Sequence, residues 1–98
     1  MKVYLDDERE APCGWHRVYW PDEVIGLLEE GVVTHISLDH DLGDDERGTG
    51  YDVILWIEEA VVLRHFKPPH IRIHTANPAA KIRMEAGANH IRQLATLR

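Results

Sequence analysis

Three short stretches of the chain hold the residue types that do chemistry. They are Asp6-Asp7 in LDDER, Asp39-His40-Asp41 in SLDHDLGD, and His74-Thr75 in IHTAN. Carboxylates crowded into one volume repel, and they either take up protons or hold a cation. Mg²⁺ suits such a set, because it takes hard oxygen ligands and keeps several of its waters. Asp6, Asp7, Asp39 and Asp41 are the candidate ligands. His40 and His74 are the second element. Imidazole titrates near working pH, so two rings flanking a phosphodiester can act as base and acid. Asp39 joins them as a catalytic candidate, either on the metal or orienting an imidazole. Thr75 can donate a hydroxyl, and Arg9 or Arg72 can add positive charge. Taken singly, an acid pair or a histidine at a strand end is an ordinary solvated or hydrogen-bonding group. The convergence of two acidic clusters and two histidines is what points to a site.

The elements that must position these residues follow from the apolar pattern. KVYL (2–5), THISLD (34–39) and HIRIHTA (70–76) read as strands, with HRVYW (16–20) a weaker edge candidate. Pro21 suits the first turn of a helix whose Val24, Leu27 and Leu28 share a face and which Gly31 ends. GDDERGTG (43–50) reads as loop. Thr49 and Asp52 form a capping box for a helix with Val53, Trp56, Ile57, Ala60 and Val61 on one side, and Lys67-Pro68-Pro69 stops it. Asn77-Pro78 opens a last helix, with Gly87 as a candidate break inside it.

Strands and helices alternate, which predicts an α/β domain with a mostly parallel sheet, right-handed crossovers and helices on its faces. Ligands of such sheets bind beyond the carboxyl ends of the strands. All three polar stretches lie at such ends. The amino end of the last helix faces the same edge, where free N–H groups favour a phosphate, so Asn77 is a substrate-binding candidate as well as a cap.

At 98 residues the chain reads as one domain, 1–98. Its net charge of −6 is uneven: residues 6–10 and 39–47 together carry −7, and the remainder carries +1. A basic stripe for the groove of duplex nucleic acid is absent. One cysteine, Cys13, excludes an internal disulfide framework and a cysteine zinc cage, and is expected to be a semi-buried thiol. No apolar run approaches the length of a membrane span, and the start turns acidic at once, so neither a span nor a secretory leader is expected and a cytoplasmic location is the default. Oligomeric state is left open. Three other motifs fail on particular residues. HISLDH lacks the second histidine of a metallo-hydrolase H-x-H-x-D-H, because Ser37 stands there. DHDLGDDERGTG lacks the sixth-position glycine and twelfth-position glutamate of a calcium loop. His40-Asp41 falls on a strand end and not on a helix.

These residues resemble a response-regulator receiver domain: an acidic pair ends the first strand, an aspartate the middle strand and a threonine the next. That resemblance implies Mg²⁺ at Asp6 and Asp7, a phosphate acceptor at Asp39 and a phosphoryl contact at Thr75. The chain departs from it in its short length, in having no helix over 8–15, in lacking a last strand with a lysine, and in its two histidines. A closer resemblance is to the cyclic-phosphate processing receiver domains, on LDDEREAP (5–12), Trp15, SLDHDLGD (37–44), TGYD (49–52) and IHTAN with Pro78. It implies a truncated receiver-like (flavodoxin-like) three-layer fold, with a short parallel sheet of about four strands flanked by helices. It also implies phosphoesterase-like processing of 2′,3′-cyclic phosphate ends of RNA or nucleotides. His40, His74 and Asp39 would be catalytic, and Arg9, Thr75 and Asn77 would bind substrate. Two other readings stand beside it: a signalling module phosphorylated on Asp39, and a module that binds phosphate ends without turning them over.

Overall fold

Val3 and Leu5, Ile36 and Leu38, and Ile71 and Ile73 alternate within short branched runs, a spacing that puts each pair on one face of a strand. The computed structural model describes residues 1–97. It pairs these runs as β1 (Lys2–Leu5), β3 (His35–Leu38) and β4 (His70–Ile73), with β2 (His16–Val18) at the other edge. The order is β2-β1-β3-β4 and every pairing is parallel. Val3 lies beside Ile36, which lies beside Ile71; Leu5, Leu38 and Ile73 form the next row. The strands are shorter than their apolar runs, because Asp39 and His74–Ala76 already belong to the connections beyond them.

Three helices cover this apolar face: α1 (Pro21–Glu29), α2 (Gly50–Arg64) and α3 (Pro78–Thr96). The reason is handedness. The β2→β3 and β3→β4 connections step across the sheet in the same direction, and right-handed crossovers then put α1 and α2 on the same side. α3 packs along α2, and its Met84, Ala88 and Ile91 join the core formed by Val24, Leu28, Ile54, Ile57 and the strand residues. The β1→β2 connection is the one that steps the other way, and it contains no helix. The expected third layer is therefore missing: the sheet is parallel and receiver-like, but its helices lie on one face.

The opposite face carries Lys2 and Tyr4 of β1, Arg17 of β2, His35 and Ser37 of β3, and His70 and Arg72 of β4. Trp15, from the helix-free β1–β2 loop, folds over it. Its ring meets Tyr4 and His35 edge-on at 6.3 and 6.4 Å. Cys13 in the same loop is exposed, so the semi-buried thiol expected there is not found.

Two glycines are set by close approach. Gly87 does not break α3, which runs through it. A Cβ there would come within 2.5 Å of Ile54 Cγ2, so the missing side chain is what lets α3 lie close on α2. Asp44–Glu46 cap and start a single 3₁₀ turn (Asp45–Arg47) within the loop expected over 43–50. The loop ends at Thr49, whose Oγ1 accepts the Tyr51 N–H while Asp52 accepts the Thr49 N–H. Gly50 follows. A Cβ on it would overlap the carbonyl oxygen of Asp39, because the first turn of α2 is seated directly on the end of β3. Gly50→Ala therefore has to push α2 off Asp39, and overpacking of this kind costs about 1–3 kcal/mol. The expected result is a urea midpoint lowered accordingly at unchanged m-value, measured by circular dichroism.

Candidate active site

The carboxyl edge of the sheet is organised by Asp6. It follows Leu5 directly, and its side chain is 1% exposed. Oδ1 accepts the backbone N–H groups of Glu8 and Arg9, both at 2.8 Å, which turns the chain sharply out of β1. Oδ2 lies 3.1 Å from His74 Nε2. Burial by itself raises the pKa of this carboxyl. The two N–H donors and His74 outweigh it, so the group sits below the ordinary carboxylate range.

Asp39 reaches the same edge from β3 and accepts the His40 N–H at 2.8 Å. Here burial wins: it pushes the pKa up, the charge of Asp6 pushes the same way, and the His40 N–H only partly opposes them. One oxygen each of Asp6, Asp7 and Asp39 lie within 4.8 Å of one another. Three hard oxygen donors at this spacing, one of them reluctant to ionise alone, fit a divalent cation that retains waters. Asp7 and Asp39 would be the freer ligands, since the oxygens of Asp6 already accept three hydrogen bonds.

Asp41 is not part of this trio. Beyond the end of β3 its carboxylate turns to other partners, with Oδ1 2.8 Å from His40 Nδ1 and Oδ2 3.5 Å from Asn77 Nδ2. The contact leaves His40 with Nδ1 anchored and with no protein partner on Nε2 among the described residues.

His74 is differently placed. It stacks on Tyr4 with ring centres 4.2 Å apart and planes within 3°. Nδ1 lies 2.7 Å from Ser37 Oγ, and Nε2 faces Asp6. Both ring nitrogens are thus already engaged. Burial lowers the imidazole pKa, and the Asp6 carboxylate only partly restores it. In the neutral ring Nε2 donates to that carboxylate, which leaves Nδ1 to accept the Ser37 hydroxyl.

A cleft of about 320 Å³ lies over the trio, lined by Asp7, Arg9, Asp39, Asp41, Gly43 and Thr75 among others. His40 and His74 are not among its lining residues; His40 is hydrogen-bonded to Asp41, which is one of them, and His74 to Asp6. Arg9 is half-exposed, and Nη1 donates to the His74 carbonyl at 2.6 Å. Thr75 is 8% exposed, and its Oγ1 accepts the Asn77 N–H. Asn77 Oδ1 caps Ala80, and Pro78 has no N–H, so the amino end of α3 offers an anion less than its position suggested. Arg72 belongs to the open sheet face, 5.7 Å from the Trp15 ring, and not to the cleft.

Sequence reasoning missed Ser37 and Tyr4, which fix His74. The signal was available in part: both alternate with core positions, so both face away from the helices. It also missed Gly43, which at φ +86° brings its loop against Asp7, where a Cβ would lie 3.3 Å from Oδ2.

Acidic residues at the ends of β1 and β3, and Thr75 beyond the end of β4, define a receiver-like α/β domain. The chain belongs to the cyclic-phosphate processing receiver domains, whose family model matches residues 1–90. No curated protein and no solved structure matches it. No helix among the described residues is long and apolar enough to cross a membrane.

The lowered pKa of His74 has a thermodynamic sign. The unfolded chain takes up the proton near pH 6.5, while the folded ring resists it, so stability falls as pH drops below about 6.5. Asp6 acts in the same direction but only below its ordinary range near 3.8, and the raised Asp39 acts oppositely as it protonates. In metal-free buffer the urea midpoint is expected to fall between pH 7 and pH 5, and His74→Gln should flatten that dependence. His35, the other histidine with a lowered pKa, remains in both proteins as an internal control.

Proposed function

We propose that the protein opens 2′,3′-cyclic phosphate ends of RNA or nucleotides by attack of water. One observation carries this: Asp7, Asp39, Arg9 and Thr75 line a single cleft at the carboxyl edge of a domain whose family is named for cyclic-phosphate processing. His40 is the base in this reading. Asp41 fixes its Nδ1, so Nε2 is free to accept a proton from water. The water oxygen bonds to phosphorus, the bond from phosphorus to one ribose oxygen breaks, and that oxygen takes a proton from solvent. The product is a phosphomonoester beside a free hydroxyl. Arg9 and Thr75 hold non-bridging oxygens as charge builds on them. Mg²⁺ held by Asp7, Asp39 and Asp6 would add positive charge at the same place. His74, with both nitrogens engaged, positions Asp6 and the Arg9 loop and does not transfer the proton.

The test is phosphorus NMR of uridine 2′,3′-cyclic phosphate incubated with the protein, with and without Mg²⁺. Conversion to a monoester is expected, and His40→Ala should slow it by roughly 10²–10⁴. Full activity of His40→Ala would sink the assignment, and no conversion by the wild type would sink the reading.

A receiver-type switch keeps one observation in its favour, the place of Asp39 in the acidic trio next to Thr75. Among the described residues no lysine lines the cleft to complete it. Incubation with acetyl phosphate and Mg²⁺ is expected to leave no acid-labile phosphate on Asp39; its appearance would favour the switch.

A further inference from the structure

All-parallel sheets are almost always covered on both faces, because their crossover helices occupy both. This one is covered on one face only, so the composition of the other calls for an explanation. Its strand positions are Lys2, Tyr4, Arg17, His35, Ser37, His70 and Arg72, without a single carboxylate, on a chain of net charge −6. None of the three cations is ion-paired among the described residues. Lys2 Nζ and the Arg72 guanidinium each lie 5.7 Å from the centre of the partly exposed Trp15 ring, so a flat aromatic surface is bracketed by two positive charges. His35 and His70 stack beside it with centres 4.8 Å apart. At its upper end the face runs through the Tyr4–His74 stack straight into the acidic edge.

A docked helix or a second sheet needs a broad apolar face, and this one offers only the partly exposed Trp15 between cations, with Tyr4 buried beside it. Positive charge interleaved with flat rings instead complements a polyanion that carries stackable bases with their faces free. That describes a single strand and not a duplex, whose bases are stacked inward. Four residues of strand span about 13 Å. The four-stranded sheet of one RNA-binding fold, of different strand order and direction, stacks two or three bases on its aromatic residues.

We propose that the open sheet face binds the single-stranded RNA that leads to the phosphate end, with a base on Trp15 and phosphates at Lys2 and Arg72. The polarity of the strand rests on the function proposed above, since the face opens at its upper end onto the cleft. The substrate class is then an RNA terminus and not a free mononucleotide.

The test is fluorescence anisotropy with a 5′-fluorescein octauridylate ending in a 2′,3′-cyclic phosphate, titrated with the full chain at several salt concentrations. The octamer is expected to bind at least tenfold more tightly than the dinucleotide with the same end. Lys2→Ala/Arg72→Ala should weaken octamer binding and reduce the salt slope by roughly 1.4. Trp15→Ala should weaken it by roughly 5- to 100-fold. Lys2 and Arg72 are exposed, so their double variant probes binding even if loss of Trp15 disturbs the fold. Octamer binding no tighter than dinucleotide binding, or a double variant that binds like the wild type, would overturn the proposal. So would a dimer in sedimentation equilibrium that Arg72→Glu turns into monomer, since the face would then be covered by a second copy. Salt-dependent octamer binding without any opening of the cyclic phosphate would retain this proposal and remove the hydrolytic reading. Turnover of the mononucleotide with no strand binding would do the reverse.

Discussion

The buried carboxylate of Asp6 is the contact on which the site depends. One of its oxygens turns the chain out of β1 by accepting two consecutive N–H groups, and the other reaches His74 beyond the end of β4. A charged group this buried is stable only with such partners. Each partner in turn constrains something else. The turn sets the direction of the β1–β2 loop and hence of Arg9 and Trp15. The imidazole, locked between Asp6 and Ser37 and laid on Tyr4, fixes the chain leading to Thr75 and Asn77. Loss of ionisation at Asp6 would loosen the edge from both sides.

The carboxylates at this edge differ in what surrounds them, and that difference gives each a role. Asp6 has many donors and a depressed pKa, so it holds structure. Asp39 is half-buried, with the His40 N–H and the Thr75 hydroxyl as donors and a like charge beside it, so its pKa is raised and a bound cation would relieve it. Asp41 has left the strand and serves an imidazole. Three aspartates close in space thus become an organiser, a candidate cation ligand and an orienting group.

Much of this could be read from the chain. Alternation in KVYL, HISL and HIRI gives the strands, and the boundary of each apolar run with its polar stretch gives the edge that carries the candidate site. Thr49-Asp52 and Asn77-Pro78 mark two helix starts correctly, because caps are local. The missing layer was not readable, although the helix-free loop 8–15 was. Which face a helix takes depends on the direction its crossover steps, and that needs the strand order. The engagement of His74 was hidden for a similar reason. Ser37 meets it only because β3 and β4 pair in one particular register. Gly87 looked like a break because glycine is a poor helix former, costing about 1 kcal/mol against alanine. Its contact with Ile54 is tertiary and leaves no local trace.

A sheet with one apolar side has one hydrophobic centre. Buried apolar residues from all three helices and all four strands form a single cluster running from Val3 to Ile91. A three-layer relative can lose one layer and keep a half-core, so it can linger in a partly unfolded form. This domain has no such reserve. With every element leaning on the same cluster, its strands and helices form one cooperative unit, and the site at the sheet edge exists or disappears together with the whole chain.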